Sequence, residues 1–258
     1  MSLLEVSNLT KNFGGLAAVS NVNIELVENE LVGLIGPNGA GKTTLFNLLT
    51  GVYEPSEGTV KLTIDGQEAV LNGKKPYVIA ALGLSRTFQN IRLFKDLTVM
   101  DNVLIAMNGK NKVGLLTSML RLPKFYAKEA EMRRKVIELL AIFDLEDKID
   151  TLAKNLPYGE QRRLEIVRAL ATEPKVLFLD EPAAGMNPQE TAELTKLIRK
   201  IQQEFGITIL LIEHDMSLVM DVCERLYVLE YGRLIAKGTP EEIKNDPKVI
   251  QAYLGGEL

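Results

Sequence analysis

The octapeptide Gly36-Pro37-Asn38-Gly39-Ala40-Gly41-Lys42-Thr43 constrains this chain more than any other feature. It satisfies the pattern G-x-x-x-x-G-K-[ST], and it lies between an apolar run, Leu31–Ile35, and a stretch of good helix formers, Lys42–Thr50, that stops at Gly51. The order is therefore strand, glycine-rich loop, helix. Glycines let backbone N–H groups curl around phosphate oxygens, and a helix N-terminus adds the positive end of a dipole. Lys42 reaches β- and γ-phosphates, Thr43 holds Mg²⁺, and Thr44 completes the nucleotide-binding run.

A second apolar run, Val176–Leu179, ends in Asp180-Glu181, which places both carboxylates at the C-terminal edge of a sheet, beside the phosphate loop. There Asp180 organises Mg²⁺ and Glu181 orients or deprotonates a water, so hydrolysis is favoured over transfer. Ile212-Glu213-His214-Asp215 follows a third such run, and His214 is expected at the same edge as a γ-phosphate contact.

Period-2 alternation in residues 1–30 (Leu4, Val6, Leu9; Val22, Ile24, Leu26) predicts an antiparallel β layer. From Val176 onward, strands alternate with helices. In the longest, Pro188 to about Phe205, the residues Leu194, Leu197, Ile198, Ile201 and Phe205 trace one face, which argues for a mostly parallel sheet covered on both sides. Between about 90 and 158 the β signal vanishes, while Met132, Val136, Leu139, Leu140 and Phe143 repeat with helical period. The expected organisation is a single nucleotide-binding domain over 1–258. Residues 1–89 and 159–258 form its α/β core with the β layer, and about 90–158 form an inserted helical subdomain.

Composition excludes several classes. The 258 residues are 46% apolar, enough to build a core without staples, and 30 basic against 34 acidic residues leave a net charge of −4, unlike a surface built to neutralise nucleic acid. Cys223 and His214 are each the sole residue of their type, which rules out internal disulfides and multi-cysteine or multi-histidine metal sites and suits a reducing compartment. The N-terminus does not read as a signal peptide, and apolar runs fall far below the roughly 18 residues that span a bilayer.

Together with Gln89 in Arg86-Thr87-Phe88-Gln89 and with Leu156-Pro157-Tyr158-Gly159-Glu160-Gln161-Arg162-Arg163, these residues resemble an ABC-transporter nucleotide-binding subunit over nearly the whole chain. The resemblance implies a P-loop NTPase core that binds ATP and Mg²⁺. It implies that Phe13 stacks on adenine, and that Gln89, joining Thr43 and Asp180 at the metal, links the γ-phosphate to the membrane partner. Leu156, Pro157, Tyr158, Gly159 and Glu160 become a signature loop acting on the opposite subunit's nucleotide, and Ala183–Asn187 the D-loop. Phe13 suits a core position equally well.

More narrowly, Arg86–Phe94, the extended helical insert and Glu230-Tyr231-Gly232-Arg233-Leu234-Ile235 resemble the ATP-binding proteins of branched-chain amino-acid importers. That implies two integral-membrane permease subunits, a second ATP-binding subunit, an extracytoplasmic substrate-binding protein and no direct nucleic-acid contact. The place implied is the cytoplasmic face of the cell membrane, peripheral, with the isolated chain soluble. An ATPase coupled to lipid or polysaccharide export and a soluble regulatory or nucleic-acid-associated relative are the rival readings.

Two departures from the family pattern carry consequences. Pro157 and Glu160 stand where a serine and a glutamine are usual, and Asn187 where aspartate is usual. Pro157 lacks a hydroxyl and an N–H, and Glu160 brings an anion toward the opposite γ-phosphate, to be offset by Arg162 and Arg163. A weakened signature surface favours pairing with a sister ATPase, while the alternative is that Pro157 merely stiffens the loop.

Lesser signals complete the reading. Lys110, Lys112, Arg121, Lys124 and Lys128, interleaved with leucines and unopposed by acids, suggest docking on a membrane subunit or anionic headgroups. Thr239-Pro240-Glu241-Glu242 and Asn187-Pro188 read as helix caps, and Cys223 as a packed thiol.

Overall fold

A computed structural model describes residues 2–108 and 123–254, which divide into two compact units, residues up to Arg86 with Lys175 onward, and Thr87–Pro174. The first unit holds both sheets. Strands β1 (Ser2–Phe13) and β2 (Leu16–Val27) form a hairpin, and β4 (Glu57–Ile64) and β5 (Gln67–Val70) extend it into an antiparallel sheet ordered β2-β1-β4-β5. The period-2 stripe Leu4, Val6, Val22, Ile24 and Leu26 is buried, as alternation requires of a half-covered sheet. Periodicity makes no assignment for β4 or β5, whose faces are mixed.

The second sheet is ordered β10-β9-β3-β8-β7-β6, built from β3 (Leu31–Ile35), β6 (Leu84–Arg86), β7 (Val176–Asp180), β8 (Thr208–Ile212), β9 (Arg225–Glu230) and β10 (Arg233–Gly238). All its pairs are parallel except the β9–β10 hairpin. Every residue of β3, β7 and β8 is buried, which explains their unbroken apolar runs: both faces are covered, so neither needs polar residues. One continuous core joins this sheet, the inner face of the antiparallel sheet and the Lys42–Leu49 helix, whose Phe46 ring meets Phe178 at 5.0 Å between centroids.

The Pro188–Phe205 helix starts in a capping box between Asn187 and Glu190 and ends at Gly206 in the left-handed region. Its buried stripe runs through Leu194, Thr195, Ile198, Ile201 and Gln202. Phe205 leaves the expected stripe and is 41% exposed. Gln202 takes the inward place because its amide donates to Asn29 O at 2.7 Å, so a polar side chain is satisfied where an apolar one was expected.

In the second unit the helices Val99–Asn108, Pro123–Ile142 and Tyr158–Leu170 bury Val103, Met132, Val136, Leu140, Leu164 and Val167, and Phe143 is buried just past the middle helix. The two compact units divide at 86/87 and 174/175, and the sequence reading sets the helical insert at about 90–158. The Tyr158–Leu170 helix joins this unit because its apolar face packs on the other two helices. Lys110, Lys112 and Arg121 lie outside the described residues. Among the described residues, no helix is long and apolar enough to cross a membrane.

Candidate active site

Three neighbouring parallel strands, β3, β8 and β7, end on one edge, with Leu34, Ile212 and Asp180 in one row of the ladder. The phosphate loop follows β3, Glu213-His214 follows β8, and Asp180-Glu181 closes β7. Apolar strands bring these chemical residues together because each polar group begins where an apolar run stops.

The loop's conformation needs glycine. Gly36 has φ +152, and a Cβ there would sit 2.0 Å from Leu229 O; Gly41, at φ +102, would meet Ala18 O at 2.6 Å. Gly41 is also the N-cap of the Lys42–Leu49 helix and has no side chain to cap it, and a helix N-terminus is a place where backbone N–H groups can receive an anion. The Tyr231-Gly232 turn of the β9–β10 hairpin braces the loop: Gly232 N donates to Ala40 O at 2.8 Å, and Gly232 O accepts from Ser20 N at 2.8 Å. Gly232→Val would force a side chain at φ +76 into Ala18 O. We expect it to cost about 1–3 kcal/mol in urea unfolding and to weaken ATP binding several-fold.

Lys42 is buried, and its Nζ donates to Gly36 O at 2.7 Å and Pro37 O at 3.0 Å. Burial pulls its ammonium below the usual lysine range, while the carboxylates of Glu181 and Asp180 act in the opposite sense. Asp180 is almost fully buried and accepts from Arg86 Nη2 at 3.2 Å; Arg86 Nη1 also donates to Asn47 Oδ1 and Thr50 Oγ1 on the helix behind the loop. Sequence reasoning missed Arg86 as an ion partner of Asp180, since β6 adjoins β7 only in three dimensions. Glu181 has φ +48, a conformation uncommon for a side chain of its size, and its Oε1 lies 2.5 Å from His214 Nε2.

Phe13 is 44% exposed, which sets aside a core role; Tyr53 meets it edge-on at 5.3 Å and Lys11 Nζ lies 5.2 Å from its centroid. Asn187 accepts from Glu190 N at 3.0 Å, so its side chain serves the cap. Cys223 is buried at the end of the Met216–Val222 helix, and burial pushes its thiol far above the ordinary range, which suits a packing residue.

Gln89 and Leu156–Glu160 belong to the second unit. Arg162, fully buried, donates to Phe88 O, Gln89 O and Glu165 Oε2 at 2.7–2.8 Å, so the Tyr158–Leu170 helix clamps the backbone around Gln89. Pro157 is the N-cap of that helix and supplies no side-chain cap. The charge of Glu160 is paired with Lys148, not with the arginines expected to offset it. Arg162 is turned inward, and Arg163 reaches Asp144 at 3.5 Å.

A sequence profile described as ABC transporter matches residues 19–184, and one described as branched-chain amino acid ATP-binding cassette transporter matches 233–258. The chain belongs to the ABC transporter family. The cassette is 50% identical over 98% of its length, and 98% of the relative's, to the high-affinity branched-chain amino acid transport ATP-binding protein LivG of Salmonella typhimurium. It is 36% identical to the lipopolysaccharide export system ATP-binding protein LptB of Haemophilus influenzae, over all of the cassette and 99% of the relative. Among solved structures, the ADP conformation of MJ1267, an ATP-binding cassette of an ABC transporter, shares a TM-score of 0.84 at 32% identity, covering 99% of both chains.

Proposed function

We propose that this cassette is the ATP-hydrolysing subunit of a branched-chain amino-acid importer, peripheral on the cytoplasmic face of the membrane. The carrying observation is the gathering of the phosphate loop, Asp180-Glu181 and His214 at the ends of three adjacent strands. The cargo reading is supported by full-length likeness to LivG and by the 233–258 match, which lies outside the phosphate-binding machinery.

In this reading the backbone of Gly36–Thr44 cradles the phosphates, and Lys42 exchanges its loop carbonyls for β- and γ-phosphate oxygens. Phe13 offers an exposed ring to adenine. Glu181 accepts the proton of the attacking water, and His214, in contact with that carboxylate, orients it and bonds the γ-phosphate. Thr43 and Asp180 would hold Mg²⁺ through oxygen atoms. Mg²⁺ would arrive on the ATP phosphates, as a small hard cation that keeps few protein ligands does. So bound, the ion would neutralise charge developing on the phosphoryl oxygens.

The partners are two permease subunits, a second ATP-binding subunit and an extracytoplasmic binding protein, with the signature loop Leu156–Glu160 and the D-loop facing the opposite nucleotide. Lys148 paired to Glu160 reduces the anion presented there, which favours a competent signature surface over a defective one. Affinity purification of the tagged chain from gently solubilised membranes is expected to recover two polytopic subunits, a sister ATPase and an amino-acid-binding protein. Recovery of lipid-export components would overturn the cargo, and soluble or nucleic-acid partners alone would overturn transport.

A further inference from the structure

Glu213 sits one residue before His214, 4% exposed, and the sequence pattern gives it no role. Its carboxylate spans two loops: Oε1 accepts from Ala183 N at 2.7 Å, and Oε2 accepts from His214 N at 3.1 Å. The register between β7 and β8 runs to Asp180 opposite Ile212, and Glu181 N adds a bond to Ile212 O at 2.9 Å. The side chain therefore carries the β7–β8 connection past the strand ends. Glu181 is held from below by Ile212 O, while two residues farther on Ala183 is held by Glu213.

We propose that Glu213 is a positioning residue for hydrolysis, its carboxylate bridging the backbones of Ala183 and His214 so that Glu181 and His214 stay in mutual contact. Two facts support this. Glu181 is held at a left-handed φ that its neighbours must enforce, and Ala183 N is the nearest backbone group beyond it that a side chain from the β8 loop anchors. Burial and the nearby Glu181 charge also push the Glu213 carboxyl up, against backbone N–H groups of Ala183, His214 and Asp215 that pull it down. A buried acid placed beside another acid is a poor choice for packing, and its backbone bonds are what it supplies. Only a flat acceptor with two oxygens serves both loops at once. The amide of glutamine keeps one of the two bonds, and alanine keeps neither.

The inference rests on assigning hydrolysis to Glu181 and His214, so the experiment includes that assignment. Steady-state and single-turnover ATP hydrolysis and ATP affinity are measured on the purified full chain for Glu213→Ala, Glu213→Gln, His214→Ala, the double change of Glu213→Ala with His214→Ala, and Glu181→Gln. Expected are a kcat lowered about 10- to 100-fold in Glu213→Ala, an intermediate kcat in Glu213→Gln, and KM and Kd for ATP within about threefold of the parent in both. In the His214→Ala background, Glu213→Ala should add less than about twofold, because the two act as a unit. Wild-type kcat in Glu213→Gln and Glu213→Ala, fully additive losses, or a loss of ATP affinity matching the loss of kcat would overturn the proposal. Should Glu213→Ala not fold, wild-type kcat in Glu213→Gln overturns it alone. If Glu181→Gln retains turnover, the hydrolysis assignment itself fails, an outcome separate from the others.

Discussion

Glu181→Gln should lower ATP turnover by about 10²–10⁴-fold while leaving ATP affinity within about threefold of the parent, because it removes a proton acceptor and almost no volume. The structure sharpens this expectation. Glu181 Oε1 meets His214 Nε2 at 2.5 Å, and a glutamine in that place still contacts the ring, so the two loops keep their arrangement. Phosphate release reads the turnover, and a fluorescent ATP analogue reads the affinity. A turnover within twofold of the parent would remove Glu181 from the chemistry. In an assembled transporter with a sister ATPase, comparing this change with the same change in the sister tests the trans surface. Since Lys148 pairs the charge of Glu160, the two losses are expected to be similar. A much larger loss from this chain's substitution would restore the weakened-signature reading.

Legibility from sequence divided along physical lines. The phosphate loop, Asp180-Glu181 and His214 were readable because each is a polar residue or glycine interrupting an apolar run, and an unbroken run of that length forms a buried parallel strand. Whatever depends on strand order was not readable. Nothing local in Arg86 says that β6 lies beside β7, so its bond to Asp180 stayed hidden. Gly232 stands far from the loop in sequence and braces it through Ala40 O and Ser20 N. Arg162 looked like an exposed counter-charge, yet Glu165 three residues on lets it turn inward with its charge matched, a helical i, i+3 pairing. Phe205 and Gln202 exchanged their expected places because a backbone carbonyl at Asn29 satisfies the amide. Burial follows hydrogen-bond partners as well as hydropathy, and only the first of these is invisible to periodicity.

Lys42→Met separates binding from folding, and its two effects should run in opposite directions. The ammonium bonds Gly36 O and Pro37 O, but burial has already pulled its pKa down, so the folded state bears a cost for keeping it charged. A lysine with a lowered folded pKa opposes folding most below that pKa, and the penalty fades as pH rises toward the unfolded value of 10.5. Methionine has similar length and no charge, so without nucleotide the variant should melt at or slightly above the parent temperature and lose that alkaline gain in stability. ATP binding should suffer instead. A hydrogen bond to a charged group is worth about 1.5–3 kcal/mol, so affinity should fall about 10- to 150-fold. At an ATP concentration 100 times the parent Kd, nucleotide stabilises the parent by about 2.7 kcal/mol but a 100-fold weaker variant by only about 0.4 kcal/mol. Thermal melting with and without ATP reads both quantities. An undiminished ATP-induced shift would mean that Lys42 does not reach the phosphates. A large fall in the nucleotide-free melting temperature would mean that its bonds to the loop carbonyls, and not its service to ATP, account for its burial.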